Sequence, residues 1–162
     1  KANITADLGA YHIFGSFISP DLVMRRLTGP YDVQDIAVDL RALVTNGPPT
    51  GPYRGAGQPE ASFMMERMID IAAQTLEMDP AEIRRRTQIR PEQFPYTTAG
   101  QLPYDTGNYE AVLDRALELS NYYEFRATQS ANDRLSESLL GIGIATITNG
   151  SGGSGGAGYD LL

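Results

Sequence analysis

Cysteine is absent from this sequence. That excludes a disulfide framework, a thiolate nucleophile and any Cys-ligated metal or iron–sulfur centre within its 162 residues. Histidine is nearly absent as well. A single one, His12, rules out a multi-His metal site and gives no basis for a Ser-His-Asp arrangement. With no carboxylate or second His close by in sequence, His12 reads as a structural or surface residue rather than a ligand. Positive charge is scarce: 13 Lys and Arg stand against 20 Asp and Glu, for a net charge of −7. A nucleic-acid partner calls for a basic footprint, so none is expected. There is also no apolar run of about 18 residues, and so no membrane-spanning helix is expected.

An initiator Met and a signal peptide are missing too. Lys1 falls straight into a strand pattern, and the other end, "NGSGGSGGAGYDLL", has the composition of a flexible linker or long loop. The expectation is a piece excised from something larger, with a domain fragment over 1–148 and a Gly/Ser-rich tail over 149–162. The lack of Cys is compatible with a reducing compartment, and a cytoplasmic location is expected.

What is present suffices for one domain, since 41% of the residues are apolar. Residues 2–10 alternate, with Ala2, Ile4, Ala6, Leu8 and Ala10 on one side, as a half-buried strand does. Gly9 marks a bulge or a close backbone approach. "PDLVMRRL" (20–27) suits a short helix, and "TGPYD" (28–32) a turn. Ile36, Val38, Leu40, Ala42 and Val44 alternate in a second strand. Residues 45–59 hold four prolines and four glycines and cannot be regular structure.

From Pro59 the period becomes 3.6. Ala61, Met64, Met65, Met68, Ala72 and Leu76 form one stripe, which predicts a helix to about Met78 with the methionines in the core. "DPAE" (79–82) starts another helix, with Asp79 as cap, Pro80 in the first turn and Glu82 completing a capping box. That helix carries Arg84, Arg85 and Arg86, read either as an anion site or as a solvated face. Residues 90–107 read as loop. Asn108 caps a last helix over roughly 109–131, with Leu113 and Leu117 near its apolar side. Tyr104, Tyr109, Tyr122 and Tyr123 read as packing residues with a wet hydroxyl. "GIGIATIT" (141–148) reads as a strand. The order is not a regular βαβα alternation. The predicted class is α+β, with mixed strands and three to four helices.

The stretch with chemistry in it is "GPYRGAGQPEA" (51–61). Gly55-Ala56-Gly57 sits just ahead of a helix start, where backbone amides can turn toward an anionic or oxo group. Arg54 adds a planar fork of donors. The other reading is a connection that merely turns. A dinucleotide fingerprint is rejected: Glu60 stands where a third Gly or Ala is needed, and ten loop residues separate Val44 from Gly55.

"TNGPPTGPYRGAGQPEASFMMERMIDIAAQTLEMDPAEIRRRTQI" followed by "FPYTTAGQLPYDTGNYEAVLDRAL" resembles the large subunit of the molybdenum hydroxylases, the family of xanthine dehydrogenase, aldehyde oxidase and carbon monoxide dehydrogenase. "ITADLGAY", "LTGPYDV" and "GIGIA" fit as well, so the resemblance covers residues 1–147. It implies an internal fragment of the molybdopterin-binding subunit. The parent would hydroxylate an aldehyde or N-heterocycle with oxygen from water and pass electrons to iron–sulfur and flavin subunits or domains. Its cofactor would be molybdopterin with molybdenum, in the cytosine dinucleotide form.

The same resemblance places Arg54 and Gly55 beside the cofactor, and Ala56 and Gly57 at the substrate pocket. Gly55 falls where carbon monoxide dehydrogenases carry a copper-binding Cys, and Gly cannot bind copper. Ala56 falls where xanthine oxidases set a Phe against the substrate ring. Leu22 falls at the place of their substrate-orienting Arg, with Arg25 and Arg26 off register, which speaks against purine oxidation. The catalytic Glu and the main pterin loops would lie outside the chain, so no catalytic set is complete in it. Alone it is expected to be inactive, to bind no molybdenum, and to be able to self-associate through unpaired strand edges. A non-catalytic scaffold of the same fold, and an anion-binding module at 55–60, are the alternatives.

Overall fold

A computed structural model describes residues 1–11, 13, 15–131 and 141–149. The two alternating segments form β1 (Ala2–Asp7) and β2 (Val38–Leu43). They pair in parallel, with Ala2 opposite Val38 and Asp7 opposite Leu43. Parallel strands need a crossover, and α1 (Ile18–Arg26) supplies it. Gly9 is a close backbone approach: a Cβ there would lie 2.1 Å from the Pro48 carbonyl oxygen. The Pro/Gly-rich stretch after β2 runs beside the segment that follows β1, with Ala10 N donating to Gly47 O at 2.8 Å and Thr45 N to Gly9 O at 3.1 Å.

α2 (Gln58–Thr75) and α3 (Pro80–Thr87) follow, as the periodicity predicts. Asp79 caps α3, accepting from the amides of Ala81 at 2.8 Å and Glu82 at 3.3 Å. The capping box does not form, because the Glu82 carboxylate instead pairs with Arg85 and Arg86. The stretch read as loop contains a short hairpin, β3 (Tyr96–Thr97) with β4 (Pro103–Tyr104). Asn108 caps α4 (Tyr109–Leu119) by accepting from Ala111 N.

Two expectations fail. The single last helix is broken: Asn121 takes a left-handed backbone (φ 50°), and α5 (Tyr122–Ala131) starts afresh. This gives five helices among the described residues where three to four were expected. Asn is one of the few residues that tolerates that conformation, so the break falls where the chain can make it. Residues 141–149 join no ladder among the described residues. Their burial still alternates, with Ile142 and Ile144 against the cluster of Ala81, Leu113, Leu117 and Tyr122. Side-chain pattern alone reported the face and not a hydrogen-bonding neighbour. The tail over 150–162 and His12 lie outside the described residues.

The turn at 28–32 is the keystone of the core. Tyr31 is fully buried, with Thr28 and Pro30 beside it, and Ile89 N donates to Pro30 O. Next to it, Asp32 accepts from Gln93 Nε2 and Tyr96 OH, both at 2.8 Å, and from Gln34. The Gln93 hydrogen bond is the main cause that holds this carboxyl below its ordinary range. A depressed folded-state pKa means stability present above the unfolded value of about 3.9 and lost as pH falls through the folded one. Asp32→Asn is therefore expected to lower stability near neutral pH and to flatten the acid limb of the stability curve below about pH 4, with stability near pH 2 largely unchanged. Urea midpoints across pH 2–6 measure this, and an unchanged acid limb contradicts it.

Candidate functional site

The chain leaves the Pro/Gly-rich stretch at Tyr53, which is 88% exposed. Three successive residues then take positive φ: Gly55 at 99°, Ala56 at 40° and Gly57 at 86°. Such a run is a tight left-handed coil that only glycine adopts freely, and Ala56 carries strain in it. The Ala56 amide donates to Tyr53 O at 2.7 Å, and the Gln58 amide to Gly55 O at 3.0 Å. The amides of Gly55 and Gly57 have no acceptor among the described residues. Gly57 is the N-cap of α2, whose N-terminal end favours negative charge. Arg54 is exposed and makes no ion pair or hydrogen bond among the described residues. Two free amides, a helix N-terminus and an uncommitted guanidinium thus converge on one turn. The structure brings all four residues singled out in the sequence (Arg54, Gly55, Ala56 and Gly57) into this one coil.

Why the turn sits where it does was not legible in the motif. Gly57 is buried directly against α1: a Cβ on it would lie 2.3 Å from Ser19 O and 2.9 Å from Val23 N. Gln58, the next residue, is 5% exposed. Its side-chain oxygen accepts from Arg26 Nη1 at 2.9 Å, and its nitrogen donates to Ser62 Oγ at 2.9 Å. Arg26 also reaches Asn149 Oδ1 at 3.2 Å. Leu22 is buried in the core and Arg25 pairs with Asp21 on its own helix. Arg26 and Gln58 are the residues sequence reasoning missed as partners of the turn. The one available signal was a polar Gln at the buried first position of an amphipathic helix.

The arginine triplet divides: Arg86 is exposed, as a solvated face requires, whereas Arg84 is buried. Arg84 is fully buried and donates to Glu66 Oε2 from Nε (3.0 Å) and Nη2 (2.8 Å), to Asp70 Oδ1 (2.9 Å), and to the carbonyls of Pro80 and Ile144. Tyr31 OH donates to the other Glu66 oxygen at 2.5 Å. Burial, aided by this hydrogen bond, pushes the Tyr31 phenol well above its ordinary value. Burial works against the charge of Arg84, but the Glu66 and Asp70 contacts more than restore it. Arg85 instead bridges Glu82 and Asp114.

The methionine stripe is corrected as well: Met68 is 59% exposed, and Met64, Met65 and Met68 line an open groove of about 500 Å³ beside β1. The buried face of α2 is marked by Ala61, Glu66 and Ala73. Among the tyrosines, Tyr122 is buried with its hydroxyl on Asp79, Tyr104 donates to Gly29 O, and Tyr109 stacks edge-on against Phe94.

Residues 1–87 match the model of the molybdopterin cofactor-binding domain. The chain belongs to that family. It is 38% identical over 153 residues to the carbon monoxide dehydrogenase large chain of Hydrogenophaga pseudoflava, covering 91% of this chain and 19% of that one. It is 30% identical over 157 residues to the nicotine 6-hydroxylase large subunit of Paenarthrobacter nicotinovorans, covering 95% and 19%. Among solved structures, quinoline 2-oxidoreductase from Pseudomonas putida 86 superposes with a TM-score of 0.72 at 31% identity, covering 78% of this chain and 16% of that one. The chain thus spans about a fifth of the length of the curated relatives it matches. These relatives are molybdenum oxidoreductases, in keeping with the α+β molybdopterin-binding fold read from the sequence. Among the described residues, no helix of this molybdopterin-binding domain is long and apolar enough to cross a membrane.

Proposed function

We propose that this domain is an internal segment of the catalytic large subunit of a molybdenum hydroxylase acting on an aldehyde or N-heterocycle. The observation that carries the proposal is the Arg54–Gly57 coil, whose Gly55 and Gly57 amides at the α2 N-terminus and neighbouring Arg54 guanidinium have no partner among the described residues. An oxo- or phosphate-bearing cofactor fits that donor set. Arg54 and Gly55 would hold the molybdenum end of a molybdopterin, in its cytosine dinucleotide form. Ala56 and Gly57 would border the substrate. The bound cofactor supplies the oxygen-transfer and redox chemistry, the added oxygen coming from water. What the chain's own residues do is orient: backbone amides and the Arg54 fork fix the position of negative charge without needing to move.

Two of these positions narrow the substrate. Gly55 offers no ligand for copper, which sets the domain apart from a copper-dependent carbon monoxide oxidiser despite its likeness to carbon monoxide dehydrogenase large chains. Ala56 leaves room where a ring-contacting aromatic would stand. Electrons would leave to iron–sulfur and flavin subunits, in the cytoplasm. The 162-residue piece by itself would be inactive and free of molybdenum. Its unpaired strand edges would favour self-association.

The full-length subunit tests this directly. It is expected to contain molybdenum and to oxidise aldehydes or N-heterocycles with an artificial electron acceptor. A correctly matured but metal-free subunit rejects the proposal in favour of a scaffold role. Within it, Arg54→Ala is expected to lower kcat/KM about tenfold, as loss of a charge-assisted hydrogen bond does. Arg85→Ala, which removes contacts with Glu82, Asp114 and Tyr123 away from the turn, is expected to stay within about twofold. Equal losses would mean the Arg54 turn has no special role.

A further inference from the structure

We propose that Arg26 and Gln58 act as a positioning clamp, which sets the geometry of the Arg54–Gly57 coil and thereby how substrate is oriented against it. The inference rests on the reading of that coil as part of the catalytic site. Its own support is geometric. The coil is joined to α2 through Gly57, and Gly57 has no side chain by which to be held. What fixes it is backbone contact with α1 on one side and Gln58 on the other. The Gln58 amide plane is held at both ends, by Arg26 Nη1 at 2.9 Å and by Ser62 Oγ at 2.9 Å. Its backbone N–H closes the coil onto Gly55 O at 3.0 Å. One residue therefore carries both the hydrogen bond that shapes the coil and the hydrogen bond that ties it to α1.

Arg26 sits at the last position of α1 and is shared between three parts of the chain, because the same Nη1 also meets Asn149 Oδ1. A shift of residue 149 is thus transmitted to Gln58 through a single nitrogen, while α1 also bears on the coil directly at Gly57. Arg26 Nε is buried and has no partner among the described residues, so Nη1 carries the contacts to both Gln58 and Asn149. The neighbouring Arg25 is committed to Asp21 at 2.9 Å within α1 and provides an internal control.

The experiment uses the full-length subunit and compares Arg26→Ala, Arg26→Lys, Gln58→Leu, Gln58→Glu and Arg25→Ala. Arg26→Ala and Gln58→Leu are expected to lower kcat about tenfold with KM changed less than about twofold and molybdenum content unchanged, the pattern of lost orientation. The double variant is expected to lose less than the sum of the single losses, since both break the shared Arg26–Gln58 contact, while each also removes one further bond, to Asn149 or to Ser62. Arg26→Lys and Gln58→Glu, which keep a donor and an acceptor, are expected to recover part of the loss, and Arg25→Ala to match wild type. A second readout needs no cofactor: amide hydrogen exchange over residues 53–62 is expected to quicken in Arg26→Ala and Gln58→Leu alike, and not in Arg25→Ala. Unchanged exchange in that segment overturns the clamp, as do additive losses or losses that track molybdenum content. A wild-type subunit that lacks molybdenum would reject the functional reading instead, and the exchange comparison would still decide the clamp.

Discussion

Arg84→Ala is expected to destabilise the domain by about 3–5 kcal/mol, the cost of breaking a buried pair by removing one partner. The arithmetic follows from what is left behind. Glu66 is left without its cation in a site where it is 7% exposed, with Tyr31 as its one remaining donor among the described residues. Asp70 and the carbonyls of Pro80 and Ile144 lose a donor at the same time. The loss reaches α2, α3, the Tyr31 turn and the 141–149 segment together, because one guanidinium touches all of them directly or through Glu66. Replacing the whole set, as Arg84→Met with Glu66→Leu and Tyr31→Phe, is expected to recover most of the loss, since hydrophobic replacement of a complete buried pair is often near neutral. Urea unfolding at pH 7 measures both variants. An Arg84→Ala protein within about 1 kcal/mol of wild type would show the network to be solvated, as an exposed pair is. By contrast, Arg86→Ala removes only an exposed pair with Glu82 and should cost less than about 1 kcal/mol.

That network marks the limit of what the sequence discloses. "RRR" presents three equal residues, and composition cannot rank them. The helical period can: Ala81, Arg84 and Gln88 share one face at spacings of three and four, and all three are buried. Glu66 and Asp70 are likewise four apart on α2, so one Arg can meet both. This signal was present but outweighed by the rule that charges face water. The methionine stripe misled for the converse reason. Its period reports a helix, and α2 is one, but which apolar face is covered depends on what packs against it, and here that face borders an open groove. The two strands were legible because alternation is local, and their parallel pairing was not. The break at Asn121 was not, since a single left-handed residue leaves the apolar spacing on both sides intact. At the candidate site the motif disclosed the coil itself, Arg54 through Gly57. It could not disclose Arg26, which lies 32 residues from Gln58 and approaches through the α1 crossover.

Gly57→Ala is expected to cost about 2–5 kcal/mol, from about 1–2 for a left-handed alanine and about 1–3 for overpacking. Both terms are visible at the position. The backbone stands at φ 86°, and the added Cβ meets Ser19 O at 2.3 Å and Val23 N at 2.9 Å. These are main-chain atoms of α1, so no rotamer change relieves the clash, and the turn or the helix must move. Gly55→Ala is expected to fall between, because its φ of 99° is strained but its neighbours at 3.0–3.1 Å are atoms of the Pro59 ring. Gly51→Ala meets nothing within 4 Å and should stay within about 0.5 kcal/mol of wild type. Thermal melts give this ranking. In the full-length subunit, the displacement at Gly57 is expected to lower kcat on the order of 10²-fold, the penalty for shifting a positioned group by about 1 Å. If Gly57→Ala behaves like Gly51→Ala in both stability and rate, α1 does not hold the coil, and the position of Arg54 must be set from elsewhere.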